Sequence, residues 1–391
     1  MNNFTQYRRL ITDNELLYIR FNEKYGQFNI QFIFEGQGRI AMNEIRKAIE
    51  QTAESNPIIC CSLRDKYWAY SGNFPQVIEH KEPISQQELI NSQLMQENMK
   101  IDEKTVEVHM FNDGSMFLFK IFHGIMDGKG ASNWVGNVFR ALRGEALISQ
   151  ADVISEKDFV ISTGMDAPAL RLDFSFLPFK SYQSPYTGDF KWYTQKIKGN
   201  FPMLVSHICY FFTQNNLLNR SKFMIPVDLR RHNRKIQSDC NLTLPIFVNA
   251  DKSMSVGDIH GEYLFALKDN LELSVKNTEV PGISIGGKFM ADIGMIYLKC
   301  RQLLARKFLA TGIISFLGTF KNSQFSTESY QNESYYALPS YQPLTPFNII
   351  PLQIDQSTIL TIAYSTSLFT EDEVKAVMLE LENYLLSIES N

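Results

Sequence analysis

Residues 115–128, SMFLFKIFHGIMDG, constrain the fold more than any other stretch. The first part places bulky apolar side chains on nearly both faces of an extended chain. Such a strand has no face to offer water, so it belongs at the centre of a sheet covered on both sides. Asn112-Asp113-Gly114, just ahead of it, is a strong hairpin signal, with residues 105–110 as the partner strand. The strand runs straight into His123, and Asp127-Gly128 follows before a helical pattern. That helix carries Trp134, Val135, Val138, Phe139 and Leu142 on one side and Gly144 as its stop. A loop at the end of a central strand is a natural place to present an imidazole. A histidine of ordinary pKa, about 6.5, can take and return a proton near neutrality. Gly124 and Gly128 permit a tight turn beside it.

The remaining text alternates strands and helices. Residues 28–34 (FNIQFIF) read as a strand. Residues 41–55 read as a helix with Ile45, Ala48, Ile49 and Thr52 on one face, stopped by Asn56-Pro57. A short strand is expected over 58–63 and a polar helix over 85–99. Between about 150 and 190 periodicity fades and Pro168, Pro178, Pro185 and Gly188 cluster, as in a linker. Beyond it come a helix over 202–215 and extended runs over 222–229 and 242–248. Helices follow over 258–273 and 289–309, then strands over 313–316, 347–352 and 359–365, and an amphipathic helix over 371–390. The pattern predicts an α/β or α+β protein with two similar lobes, divided as 1–165 and 166–391.

Bulk composition narrows the function. The chain has 391 residues, 44% hydrophobic and 20% charged, which excludes a disordered or fibrous protein. Its 29 Phe residues can fill a large core and still line an apolar pocket. Lys plus Arg is 38 and Asp plus Glu is 42, so the net charge is 38 − 42 = −4, a poor balance for binding nucleic acid. The densest basic cluster, Arg230, Arg231, Arg234 and Lys235, reads either as a solvated loop or as a docking point for a phosphorylated cofactor or acidic protein. Five cysteines form no CxxC pair, so reduced thiols in a cytosolic protein are expected. No secretory signal is visible, and the apolar run at 201–212 is too brief to span a bilayer. A soluble, cytoplasmic protein is expected. GxGxxG is absent, and Ile285-Gly286-Gly287-Lys288 lacks the phosphate-loop spacing. The six histidines, His80, His109, His123, His207, His232 and His260, form no HExxH, so no metal site is expected.

Phe122-His123-Gly124-Ile125-Met126-Asp127-Gly128 resembles the HxxxDG motif of the chloramphenicol-acetyltransferase-like superfamily. That group includes nonribosomal peptide condensation domains, alcohol acetyltransferases, plant-type HxxxD acyltransferases and mycobacterial polyketide-associated acyltransferases. Three further segments are similar to family motifs in order and spacing: Pro226-Val227-Asp228-Leu229-Arg230, Asn241-Leu242-Thr243-Leu244-Pro245 and Ile314-Ser315-Phe316-Leu317-Gly318. The closing Leu368-Phe369 with its acidic helix also looks like the family's C-terminus, so the resemblance spans nearly the whole chain. Phe122 replaces the first His of the condensation-type doublet, which shifts the reading toward single-His acyltransferases. The plant-type DFGWG signature is absent. Cys240 stands where a Gly usually precedes the Asn.

The resemblance implies a V-shaped pseudo-dimer, each lobe a mixed sheet backed by helices, with an active-site tunnel between them. His123 would be the general base that deprotonates the acceptor. Asp127, with Gly128 after it, would be structural and paired with Arg230. Ser315 is a candidate oxyanion donor, against the alternative of an ordinary strand-end serine. Asn241 would sit at the lobe junction, as a candidate oxyanion or tunnel residue. Trp134 would line the tunnel or simply pack a helix face. The implied activity is acyl transfer from acyl-CoA or a phosphopantetheine thioester to a small-molecule hydroxyl or amine, in the manner of secondary metabolism. No permanently bound cofactor is expected, and the protein is expected to be a monomer. With no carrier domain in the chain, an acyl carrier protein would be a separate partner. Two alternatives stand beside this reading: a free-standing condensation-type enzyme, and a catalytically silent binding relative.

Overall fold

The computed structural model describes residues 7–26, 28–165, 177–178, 190–216, 218–277, 307–340 and 344–389. The chain forms two compact units. Unit 1 holds residues 1–163, 228–242 and 319–340, and unit 2 holds 164–227, 243–318 and 341–391. Membership follows packing rather than chain order, because two later segments return to unit 1.

Unit 1 begins with β1 (Arg8–Leu10), α1 (Asp13–Tyr25), β2 (Asn29–Gly38) and α2 (Met42–Thr52). Next come β3 (Cys61–Arg64), β4 (Tyr67–Tyr70), β5 (Gln76–Glu79), α3 (Gln86–Ile90) and α4 (Gln93–Gln96). The hairpin β6 (Val106–Phe111) and β7 (Met116–Phe122) leads to α5 (Gly128–Leu142) and α6 (Glu156–Ser162). The later strand β15 (Tyr330–Leu338) joins the same sheet, whose order is β15-β2-β7-β6-β5. The β5–β6 pair is parallel and its neighbours are antiparallel, so the sheet is mixed. β7 is the middle strand and all seven of its residues are buried. The hairpin turn places Asn112, Asp113 and Gly114 at positive φ, which explains the residue types there. One sheet face carries Phe119 against Trp134 of α5, with ring centroids 5.6 Å apart. The other carries Lys120, whose Nζ donates to the carbonyls of Leu94 (2.9 Å) and Glu97 (2.8 Å) at the end of α4.

Local chemistry redraws several expected elements. The helix expected over 85–99 is two short ones. Asn91 Nδ2 donates to the Gln87 carbonyl (3.0 Å) and Ser92 Oγ to the Leu89 carbonyl (2.7 Å), which terminates α3. The strand expected from 58 starts at Cys61, because Pro57 opens a single 3₁₀ turn over Pro57–Cys60. Within the expected linker, Ser155 caps α6 by accepting from the Asp158 N–H (3.1 Å).

Unit 2 contains β8 (Leu177–Pro178), β9 (Phe190–Lys198), α7 (Leu204–Gln214), β10 (Arg220–Asp228), β11 (Thr243–Asp251) and α8 (Val256–Lys268). After β12 (Lys307–Phe308) and β13 (Gly312–Ile314), the strand β14 (Gly318–Phe320) straddles the return to unit 1 at residue 319. The chain ends with β16 (Phe347–Ile354), β17 (Ser357–Ser365) and α9 (Glu371–Glu389). The strand path β11-β10-β13-β16-β17-β9 is again mixed, parallel at β10–β13–β16 and antiparallel beyond. Val374, Met378, Leu381 and Leu385 form one buried stripe of α9 against this sheet's core. The helix expected over 289–309 lies outside the described residues up to 306, and Lys307–Phe308 is strand. No helix among the described residues is long and apolar enough to cross a membrane.

Candidate active site

His123, Asp127, Gly128, Trp134, Arg230 and Asn241 all fall in unit 1. Ser315 lies in unit 2, just beyond β13, where its N–H donates to the Ile349 carbonyl (2.9 Å). The geometry around His123 follows from how β7 ends. The His123 N–H donates to the Phe28 carbonyl (2.9 Å), so the residue is still pinned to the sheet. Its own carbonyl accepts a 2.6 Å hydrogen bond from Asn241 Nδ2. The imidazole packs between Tyr18 of α1 and Phe28, with ring centroids at 5.2 and 5.5 Å. No other residue among those described hydrogen-bonds to Nδ1. Burial lowers the His123 pKa from its ordinary value, outweighing its own carbonyl and the Asp127 carboxylate. The ring is therefore neutral at pH 7, with a nitrogen lone pair available.

Asp127 does not face the imidazole as a hydrogen-bond partner. It is the N-cap of α5, accepting from the Gly130 N–H at 2.7 Å. Its Oδ2 also accepts from the Leu242 N–H (2.8 Å) and from Arg230 Nη1 (3.0 Å). The carboxyl is held below its ordinary value by the Arg230 guanidinium, which overcomes the opposing effect of burial. Arg230 is fully engaged: Nε donates to the Ser238 carbonyl (2.8 Å), Nη2 to the Cys240 carbonyl (2.7 Å) and Nη1 also to Asp228 Oδ1 (2.8 Å). Gly128 is the first residue of α5. Trp134 is fully buried and donates from Nε1 to Thr52 Oγ1 (3.0 Å), so it packs the α2–α5 core.

Segment 238–242 thus clamps the HxxxDG loop from several sides. A second set of contacts lies beneath it, which the sequence gives no local sign of. Asp239 is buried and accepts from Asn56 Nδ2 (2.6 Å), while Asn56 Oδ1 accepts from Asn137 Nδ2 (2.8 Å). The aromatic neighbours Tyr18 and Phe28 are equally unmarked in the sequence. Two glycines are demanded by close approach. A Cβ on Gly124 would come within 2.3 Å of the Phe122 ring, and one on Gly130 within 2.2 Å of the Asp239 carbonyl oxygen. Gly130→Ala is therefore expected to destabilise the protein by about 1–3 kcal/mol, measured by urea unfolding.

Burial raises the Asp239 pKa from 3.8 to about 8. The folded state then holds a proton that the unfolded chain loses above about pH 4, so stability falls as pH rises from 4 to 8 and levels off beyond. Asp239→Asn keeps the shape without the ionisation. It is expected to flatten that decline, read as unfolding midpoints at successive pH values.

Among the described residues, no group of three or more His, Cys, Asp or Glu side chains comes together as a metal site. Four buried cysteines are free thiols, and Cys300 lies outside the described residues.

Comparison with known proteins places this geometry. No protein-family model matches the chain, and no curated protein sequence matches it. Solved structures do. The condensation domain of the Monacolin K polyketide synthase MokA aligns with a TM-score of 0.68 at 11% identity, covering 98% of each chain. The fold is that of a condensation domain. The condensation-type fold also matches the TRI3 trichothecene 15-O-acetyltransferase of Fusarium sporotrichioides, at TM-score 0.61 and 12% identity over 98% of this chain and 96% of that one. A variant starter condensation domain of rhizomide synthetase RzmA, in complex with C8-CoA and Leu-SNAC, aligns at TM-score 0.66 and 10% identity over 99% and 95%. Both acetyl transfer and condensation therefore occur on relatives of this fold, at identities that speak to the fold alone.

Proposed function

We propose that the protein is a thioester-dependent acyltransferase with His123 as general base. The observation that carries this is a half-buried imidazole whose backbone is pinned at both N–H and carbonyl while no other described residue hydrogen-bonds to its Nδ1. A structural histidine packed between aromatic rings ordinarily finds partners for its ring nitrogens. A base needs a free lone pair. In the proposed step, His123 takes the proton of an acceptor hydroxyl or amine as that atom attacks the thioester carbonyl. The C–S bond then breaks, the acyl group stays on the acceptor, and the thiolate leaves with the proton held by His123. Asp127 and Arg230 hold the loop and do not touch the reacting atoms. The donor is acyl-CoA or an acyl group on the phosphopantetheine of a carrier protein, and no permanently bound cofactor takes part. The C8-CoA bound by the RzmA variant supports a thioester donor on this fold.

The test is a panel of acyl-CoA donors and acyl-phosphopantetheine mimics with hydroxyl and amine acceptors, read by mass spectrometry for the acylated product. Consumption of at least one thioester with stoichiometric product supports the reading. Failure of every donor and acceptor, with folding verified, favours the silent relative instead.

The role of Asn241 leads to a separate expectation. Asn241→Ala removes the donor to the His123 carbonyl and frees the loop to shift the imidazole. A displacement of this kind can cost about 10²-fold in rate. The loss should fall on kcat, with stability changed by only about 1 kcal/mol, as measured by steady-state kinetics beside urea unfolding.

A further inference from the structure

Unit 2 carries two histidines that each join one helix to another. Ser206 and His207 are consecutive residues of α7, and both are buried. Ser206 Oγ lies 3.0 Å from His260 Nδ1 of α8, and His207 Nδ1 lies 2.9 Å from Tyr384 Oη of α9. The surroundings are apolar: Leu204, Val205, Ile208 and Phe211 of α7 share one core with Leu381 and Leu385 of α9. The His207 bond is therefore a polar contact set into an apolar seam. It lies near the end of α9, which runs to Glu389. Tyr384 is backed by Tyr210 of α7, with ring centroids 6.0 Å apart at 28°.

The groups around His207 decide what a proton does there. Tyr384 faces it from α9 and His260 from α8. β11 also packs on α7. Its one charged residue, Asp251, is engaged by the Ser253 N–H. Asp258 of α8 is spent on that helix's cap, and Glu382 of α9 on Gln195. Among the described residues neither these carboxylates nor Glu262 and Glu380 act on the ring. Burial, and then His260, hold the His207 pKa below its ordinary value. A proton on His207 places a buried cation beside a second imidazole, with no opposite charge to pair with. Tyr384 can accept a bond from the protonated ring but cannot neutralise it.

We propose that His207 and Tyr384 form an acid-sensitive latch, which holds the last turns of α9 on α7 while His207 is neutral and releases them when it is protonated. Release returns the imidazole to water, where its pKa is about 6.5. The docked ring binds its proton less tightly than the released one. Acidification through 6.5 therefore favours release, and the effect levels off below the lowered value. The latch does not depend on acyl transfer.

The experiment is hydrogen exchange of the full chain at about pH 7.5 and about pH 5, corrected for intrinsic rates, with residues 382–388 of α9 compared with β16. Exchange in α9 is expected to rise several-fold at the lower pH relative to β16. His207→Gln can still bond Tyr384 but cannot take a charge, so it should lose that rise. Tyr384→Phe removes only the hydroxyl and should speed α9 exchange about fivefold at the higher pH. No selective rise in α9 on acidification, the same rise in His207→Gln, or unaltered exchange in Tyr384→Phe would each overturn the latch.

Discussion

Asp127→Ala is expected to destabilise the protein by about 3–5 kcal/mol, the cost of breaking a buried ion pair from one side. The variant strands the Arg230 guanidinium, whose Nη1 now sits 3.0 Å from Asp127 Oδ2. It also removes the acceptor for the Gly130 and Leu242 N–H groups. Loss of the helix cap adds about 1 kcal/mol. Arg230→Ala should cost a similar amount. Removing both at once should cost less than the two single losses together, because neither charge is then left alone. Urea unfolding of the two single variants and the double variant checks this. The pH dependence has a definite sign. The Asp127 pKa is lowered from 3.8, so the pair's contribution is present above about pH 4 and is lost on acidification through the lowered value.

His123→Ala is expected to lower kcat/KM by about 10²–10⁴, the range for loss of a positioned general base. Stability should change little by comparison. The side chain makes aromatic contacts with Tyr18 and Phe28 but satisfies no buried partner, while the backbone bonds to Phe28 and Asn241 do not depend on it. Thiol release from an accepted acyl donor gives the rate, and urea unfolding verifies the fold. A loss of activity that tracked a loss of stability would assign His123 to architecture instead.

The parts of this arrangement that could be read from the sequence are those with a local physical cause. β7 was legible because an apolar strand without a polar face has only one place in a sheet. Its turn was legible because Asn112-Asp113-Gly114 supplies the positive φ values that the hairpin needs. Asp127 could have been read as a helix cap from its place before α5 alone, without any resemblance. The Arg230 contact needs two segments 103 residues apart to meet, and only the resemblance pointed to it. Nothing in the text marks Tyr18, Phe28, Asn56 or Asp239 as neighbours of the loop. Their roles come from long-range packing and carry no spacing of their own. Asn241, by resemblance a tunnel or oxyanion candidate, donates from Nδ2 to the His123 carbonyl, a contact no local pattern marks. The polar helix over 85–99 failed for the opposite reason: Asn91 and Ser92 compete locally for backbone carbonyls, and that competition outweighs the apolar period.

The profile of kcat/KM against pH, for wild type and His123→Ala side by side, tests the central claim most directly. Burial lowers the His123 pKa below 6.5, so a base of this kind is neutral and competent above that pH. The expected wild-type profile is level above pH 6.5 and falls tenfold per pH unit once the imidazole is protonated, and the residual activity of His123→Ala lacks that limb. A midpoint at or above 6.5, or the same acid limb in both proteins, would contradict a neutral His123 acting as the base.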